Sequence, residues 1–263
     1  TFLGFCKENG WLEHNRAKKL EGVTPDVPQK YAWTLDEYQN IVTTLETWED
    51  EYGRTGEYES ERQYAYCLVL RYTGQRISDV SMLGPENLVE DDNGNWFISL
   101  TQVKTGSFVK IPVPAKLAQR LQALPPRGEL KEPFMLTLAR RTINYGTKFW
   151  FWTGESSTYN NSKEWGEHVA AVLKRCQQKY GKFKHKSSAH TFRHFFAITM
   201  LNAGVPIERV SKWLGHSSPL ITARHYSHAN ADWHEGSHRD YMAALEKIEA
   251  QKSKAVVRMK RVV

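Results

Sequence analysis

The sequence predicts a mainly α-helical domain carrying a small antiparallel β-sheet, an α+β arrangement. Two stretches, 59–73 and nearly everything from about 162 onward, repeat apolar residues at helical spacing. Residues 87–113 switch to alternation with a period of two. Inside that stretch two turn sequences, Asp-Asn-Gly-Asn at 92–95 and Lys-Thr-Gly-Ser at 104–107, cut it into three strands.

In chain order, Phe2, Phe5 and Cys6 suggest the end of a helix over 1–9, stopped at Asn9-Gly10. Residues 20–32, with Pro25 and Pro28, suggest a linker. Thr34 starts a helix, and Glu37 three residues later completes a capping box. The 59–73 helix stops at Gly74 and leads into a short helix ended by Gly84-Pro85. The aromatic run Phe149-Trp150-Phe151-Trp152 is expected to be a buried strand. The C-terminal helices are separated by 181–188, by Gly204, and by Gly215 with the Ser217-Ser218-Pro219 turn. Pro206 suits the first turn of the helix whose apolar stripe is Ile207, Val210, Trp213 and Leu214. Residues 241–250 are expected to form a short amphipathic helix on Met242, Leu245 and Ile248, followed by a basic tail.

A chain of 263 residues can bury a core without staples. Cys6, Cys67 and Cys176 are far apart and in no metal-like spacing, which favours a reducing compartment. No apolar run approaches the length of a membrane span and no secretory signal is present, so a cytoplasmic, nucleoid-associated protein is expected. The net charge of +7 is unevenly placed. Residues 34–63 hold nine acids, whereas 171–194 hold seven Lys or Arg and no acid. Such a basic stripe suits a polyanionic partner. Lys174, Arg175, Lys182, Lys184 and Lys186 are its candidate phosphate contacts.

The segment His190-Thr191-Phe192-Arg193-His194 invites two readings. Two histidines four apart on a helix can bind zinc, but a zinc-protease helix needs Glu where Thr191 stands, and no third ligand is fixed. Alternatively His190 and Arg193, at i and i+3, share a side, and an arginine fork matches the oxygens of a phosphate. The residues downstream of Gly204 strengthen the second reading. His216 comes directly after the Gly215 stop, and Tyr226 lies at the end of the next helix.

The stretch 190–226 resembles the signature of the tyrosine recombinase (phage integrase) family: H-x-x-R-H, then L-G-H, then a tyrosine about ten residues on. Upstream, Arg76 followed three residues later by Asp79 resembles the family's first box, and the hairpin holding Lys104 resembles its lysine turn. Phe195 and Phe196 depart slightly from the pattern. The resemblance covers about residues 30–230. It implies that Tyr226 attacks a DNA phosphate to give a 3′-phosphotyrosyl bond. Arg76 and Arg193 would neutralise the non-bridging oxygens, and His216 would donate a hydrogen bond to the phosphate. Lys104 would protonate the leaving 5′ oxygen, His190 would help move the tyrosine proton, and Asp79 would orient Arg76. Neither metal nor other cofactor is implied. The implied partners are double-stranded DNA at a specific site and further copies of the chain, as a tetramer on paired sites. Four segments are expected: 1–19 as the last helix of a truncated core-binding domain, 20–32 as linker, 33–240 as catalytic domain, and 241–263 as helix and tail. A DNA-relaxing type IB topoisomerase and a non-enzymatic DNA-binding protein on the same scaffold are the alternatives. His194, His225 and His228 carry no assigned role.

Overall fold

The computed structural model describes residues 2–14, 30–47, 59–129, 135–138, 141–144, 146–152 and 158–226. The helix expected at the start is α1 (Phe2–Glu8). Thr34 caps α2 (Leu35–Glu46) with the predicted box: its hydroxyl accepts from the Glu37 amide while the Glu37 carboxylate accepts from the Thr34 amide. Helix α3 (Glu59–Thr73) and the four-residue α4 (Ile77–Val80) come next. A 3-10 turn at Pro85–Asn87 then leads into the sheet.

The sheet matches the alternation. Strands β1 (Leu88–Glu90), β2 (Trp96–Thr101) and β3 (Phe108–Val113) form an antiparallel sheet in that order, with Leu88 opposite Ile98 and Trp96 opposite Val113. Along β3, Val109, Ile111 and Val113 are buried while Phe108, Lys110 and Pro112 face solvent. Neither α5 (Ala115–Ala123) nor the short pairings after it were anticipated from the sequence. These join β4 (Gly128–Glu129) with β7 (Lys148–Phe149), and β5 (Met135–Leu138) with β6 (Arg141–Asn144).

The aromatic run corrects one expectation. All four residues 149–152 are buried, but only Phe149 belongs to a strand. The Trp150 amide donates to the Leu83 carbonyl, and the Phe151 carbonyl accepts from the Trp165 indole N–H at 2.6 Å. Beyond Phe149 the backbone polar groups are met by a loop carbonyl and by side chains in place of a sheet partner, and the chain bends at Trp150 and Phe151. Helix α6 (Thr158–Tyr180) crosses behind it, stacking Trp165 on Tyr66 of α3 with centroids 4.2 Å apart. The Tyr66 hydroxyl in turn donates to the Ile77 carbonyl, fixing the start of α4.

Three helices complete the described chain: α7 (His190–Asn202), α8 (Ile207–Leu214) and α9 (Pro219–Tyr226). Pro206 sits at the cap of α8, one position before its first turn. Helix α3 packs on α7, and α8 packs on α7, on α9 and on β3. No described helix is long and apolar enough to cross a membrane. Most of the expected linker, the 241–250 helix and the basic tail lie outside the described residues.

Candidate active site

The site is assembled where α3, the β2–β3 turn, α7 and the end of α8 meet. Gly74 ends α3 with φ of +62°, a conformation that disfavours side chains, and a β-carbon there would run into the ring of Phe196. This turn delivers Gln75 and Arg76 to the front of α4, with Arg76 in extended backbone at its cap. Arg76 Nη1 donates to Gln102 Oε1 at 2.9 Å and lies 3.7 Å from Asp79 Oδ2. Asp79 is 2% exposed, and its Oδ1 accepts from the Val103 amide at 2.9 Å. Burial raises the Asp79 carboxyl pKa, while the Val103 amide and the Arg76 and Arg193 charges oppose that rise. Asp79 therefore stands between Arg76 and the root of the hairpin turn. Lys104 is exposed one residue further along the same turn.

Arg193 is the most enclosed cation of the group, 3% exposed in the first turn of α7. Its Nη1 donates to the Gly74 carbonyl at 2.9 Å and its Nη2 to the Leu214 carbonyl at 2.7 Å. Nη2 also lies 2.9 Å from His216 Nε2. Burial and the nearby Arg76 lower the Arg193 pKa to about 10, which leaves it charged at neutral pH. Gly215, at φ of +67°, lets the chain turn off the end of α8 so that His216 faces Arg193. The other ring nitrogen, Nδ1, is 2.8 Å from Thr222 Oγ1 on α9. Arg193 can only donate, so His216 Nε2 is the acceptor and Nδ1 carries the proton toward Thr222.

Tyr226 closes α9 and is 2% exposed. Its hydroxyl meets His194 Nδ1 at 2.8 Å. Burial pushes the phenol up to about 12, against the pull of Arg193. His194 in turn lies edge-on to His190, centroids 4.9 Å apart. Partial burial, then the charges of Arg193 and Arg76, then those of Lys30 and Lys104, hold His190 down at about 4. Burial and His190 hold His194 at about 3, and burial with Arg193 holds His216 at about 4. All three imidazoles are thus neutral at physiological pH. The zinc pattern considered for His190 and His194 meets a different arrangement, since His194 Nδ1 faces the tyrosine.

This gathered set of two arginines, a lysine turn, three histidines and a tyrosine can be compared with known proteins. The family model described as "Phage integrase family" matches residues 33–232. The chain belongs to the phage integrase (tyrosine recombinase) family. Transposase B from transposon Tn554 of Staphylococcus aureus is 25% identical over 209 residues, covering 77% of this chain and 31% of that protein. A "tyrosine recombinase XerC-like" protein of Caldanaerobacter subterraneus subsp. tengcongensis is 23% identical over 250 residues, covering 87% of this chain and 59% of that one. The chain thus spans just under a third of the length of the first relative and about three-fifths of the second. Among solved structures, the Tn1549 transposon integrase in complex with circular intermediate DNA superposes with a TM-score of 0.58 at 17% identity, covering 89% of this chain and 74% of that one. The XerH site-specific recombinase bound to palindromic difH substrate gives 0.57 at 16%, covering 84% and 56%. At these identities the likeness is one of fold.

In this integrase-family chain four of the five candidate DNA contacts are exposed. Lys182, Lys184 and Lys186 are exposed on the segment running into α7, and Lys174 is exposed on α6, whereas Arg175 is half-buried. That segment is pinned rather than loose. The Lys184 amide donates to Glu37 Oε1 at 2.6 Å, Ser187 Oγ accepts from the Trp33 indole at 2.9 Å, and His185 stacks on Tyr31. The basic residues are thereby led directly to His190. Sequence reasoning missed Gln75, Gln102 and Thr222, and left His194 without a role. Gln102 stands two residues before Lys104, but nothing in its neighbourhood announces a partner 112 positions away.

Proposed function

We propose that this chain is the catalytic part of a site-specific DNA recombinase that breaks and rejoins DNA through a 3′-phosphotyrosyl intermediate. The observation that carries the reading is the contact set of Arg193: bonded to the Gly74 and Leu214 carbonyls, facing His216, and one helix away from a buried tyrosine. Carbonyl oxygens orient a guanidinium without neutralising it, so its charge stays available for an anion.

A phosphate entering between Arg193 and His216 replaces their mutual contact. His216 exchanges its ring proton so that Nε2–H and the Arg193 fork both point at non-bridging oxygens, and Arg76 completes the clamp. The Tyr226 oxygen forms the new bond to phosphorus as the bond from phosphorus to the 5′ oxygen breaks. A phenol with a pKa of about 12 needs a base: His194, which its hydroxyl already meets, takes the proton with His190 edge-on behind it, once the phosphate's negative charge offsets the cations that hold both imidazoles low. Lys104 gives a proton to the departing 5′ oxygen. Rejoining is the same sequence in reverse, and the phosphotyrosyl bond conserves the energy of the phosphodiester, so no nucleotide is consumed. Arginine charge serves where a metal serves in other phosphoryl transfers. Recombination needs two sites, so the active assembly is a tetramer on paired sites.

The test is covalent capture. This chain is incubated with nicked duplexes of randomised sequence, and adducts that survive denaturing electrophoresis are sequenced. Adducts enriched for one sequence are expected. Adducts of no preferred sequence, with relaxation of supercoiled plasmid, would make it a topoisomerase. Binding without any adduct would make it a non-enzymatic DNA-binding protein.

A further inference from the structure

The end of α8 leaves its last carbonyls without helical partners, as every helix does. Here two glutamine amides and Arg193 take them. Gln75 Nε2 donates to the Trp213 carbonyl at 2.8 Å and Gln102 Nε2 to the Leu214 carbonyl at 2.9 Å, which Arg193 shares. The two amides also bond to each other, Gln102 Nε2 to Gln75 Oε1 at 2.6 Å. Gln102 Oε1 accepts from Arg76 at 2.9 Å and from the Thr105 hydroxyl at 2.8 Å.

Gln102 is fully buried at 0% exposure, and it makes all four hydrogen bonds its amide can make. Its orientation is fixed by chemistry: Leu214 O can only accept and Arg76 can only donate, so a flipped amide would set like against like at both. Its backbone also closes the hairpin turn, with its amide donating to Ser107 and its carbonyl accepting from Gly106. A β-carbon on Gly215 would overlap the Gln102 amide, so the two have been brought to contact distance. One side chain therefore touches the first arginine, the residue next to Lys104, and the helix end that sets His216.

We propose that Gln102 is the positioning residue that holds the Lys104 turn in register with Arg76 and with the Arg193–His216 pair. It does not touch DNA. It acts by keeping the proton donor for the leaving oxygen at a fixed place relative to the charges that bind the phosphate. A fully satisfied buried amide resists displacement, because every alternative leaves a polar group unpaired. This proposal rests on the recombinase reading.

The experiment uses a duplex recovered by covalent capture, made in two forms: one with the ordinary 5′ oxygen at the cleaved position, one with sulfur there. A thiolate leaves without being protonated, so the sulfur form bypasses Lys104 but still needs the arginines. Single-turnover cleavage is measured at saturating protein, beside DNA affinity. Gln102→Leu should slow the oxygen form by about 10²-fold. The sulfur form should recover at least tenfold of that loss, with affinity changed by less than threefold. Lys104→Ala should be recovered fully and Arg76→Ala not at all, which calibrates the scale. Thr105→Val, a change at an exposed turn that does not threaten folding, should slow the oxygen form by three- to tenfold and leave the sulfur form unchanged, and Thr105→Ser should restore it. If Gln102→Leu does not fold, the Thr105 pair decides alone. Variants that cleave the oxygen form like the parent, or that lose both forms equally, overturn the role of Gln102. If covalent capture with the parent protein yields no adduct at all, the recombinase reading is overturned instead, and this proposal falls with it.

Discussion

The two halves of the site are held in different ways. The half proposed to bind the phosphate, Arg76, Arg193 and His216, is braced from several elements at once: the Gly74 carbonyl at the end of α3, Gln102 of the hairpin, the Leu214 carbonyl of α8 and Thr222 of α9. The Tyr226 ring is packed in the core, but its hydroxyl, the proposed attacking group, makes a single hydrogen bond among the described residues, to His194. Electrostatic stabilisation of a transition state requires charges already in place, since moving them during the reaction would cost what they gain. A nucleophile has the opposite requirement. It must exchange its resting partner for a phosphorus atom, and a single hydrogen bond, worth on the order of 1 kcal/mol net, is readily exchanged.

The strongest way to break this contrast is at the nucleophile. Tyr226→Phe removes one oxygen and almost no volume, so adduct formation should vanish while mobility-shift affinity for the captured duplex stays within a few-fold. On the braced side the expected loss is smaller. Arg76→Lys and Arg193→Lys keep a charge but lose the planar fork, and each should slow single-turnover cleavage by about 10²–10³-fold. Cleavage at the parent rate in either variant would mean that geometry on that side is not critical.

How legible this was beforehand differs between the halves. Tyr226, His190, Arg193 and His216 lie within 37 consecutive positions, and their spacing with the intervening glycines made them visible. Arg76 and Lys104 were placed by the Gly74 stop and the hairpin turn. The contacts that hold them together were not visible, because Gln102 meets Leu214 and Arg193 meets Gly74 across more than a hundred residues each, and Leu214 and Gly74 act through backbone carbonyls. The His194–Tyr226 bond was hidden for a similar reason: periodicity places both on helices but does not say how α7 and α9 pack. In the fold, the three-stranded sheet followed its alternation, whereas α5 and the short strands after it carried too few periodic residues to be read. The aromatic run at 149–152 was read correctly as buried, but burial alone did not distinguish a strand from a bend capped by side chains.

A third prediction tests the brace at its tightest point. Gly215→Ala combines a left-handed backbone with an overlap on Gln102, so it should cost about 1–3 kcal/mol in denaturant unfolding and lower cleavage as well. Unchanged stability would mean that the amide is not packed against that turn.

A last prediction concerns pH. His190, His194 and His216 have folded pKa values of about 4, 3 and 4, against an ordinary value of 6.5. The unfolded chain therefore binds more protons than the folded one below pH 6.5, and stability should fall progressively from there toward pH 4. Denaturation midpoints at pH 7.5, 6 and 5 check the sign. His216→Asn should make the decline shallower, and a decline as steep as the parent's would show that His216 is not a source of it.

The account stands most directly on where DNA becomes attached. A captured adduct can be digested with nuclease and protease, and the modified peptide sequenced by mass spectrometry. The expected result is a nucleotide on the Tyr226 oxygen, in the peptide that also contains His225. A nucleotide on any other tyrosine, on a serine or on a histidine would contradict the assignment of the nucleophile, and with it the contrast between a braced clamp and a single-bonded attacker.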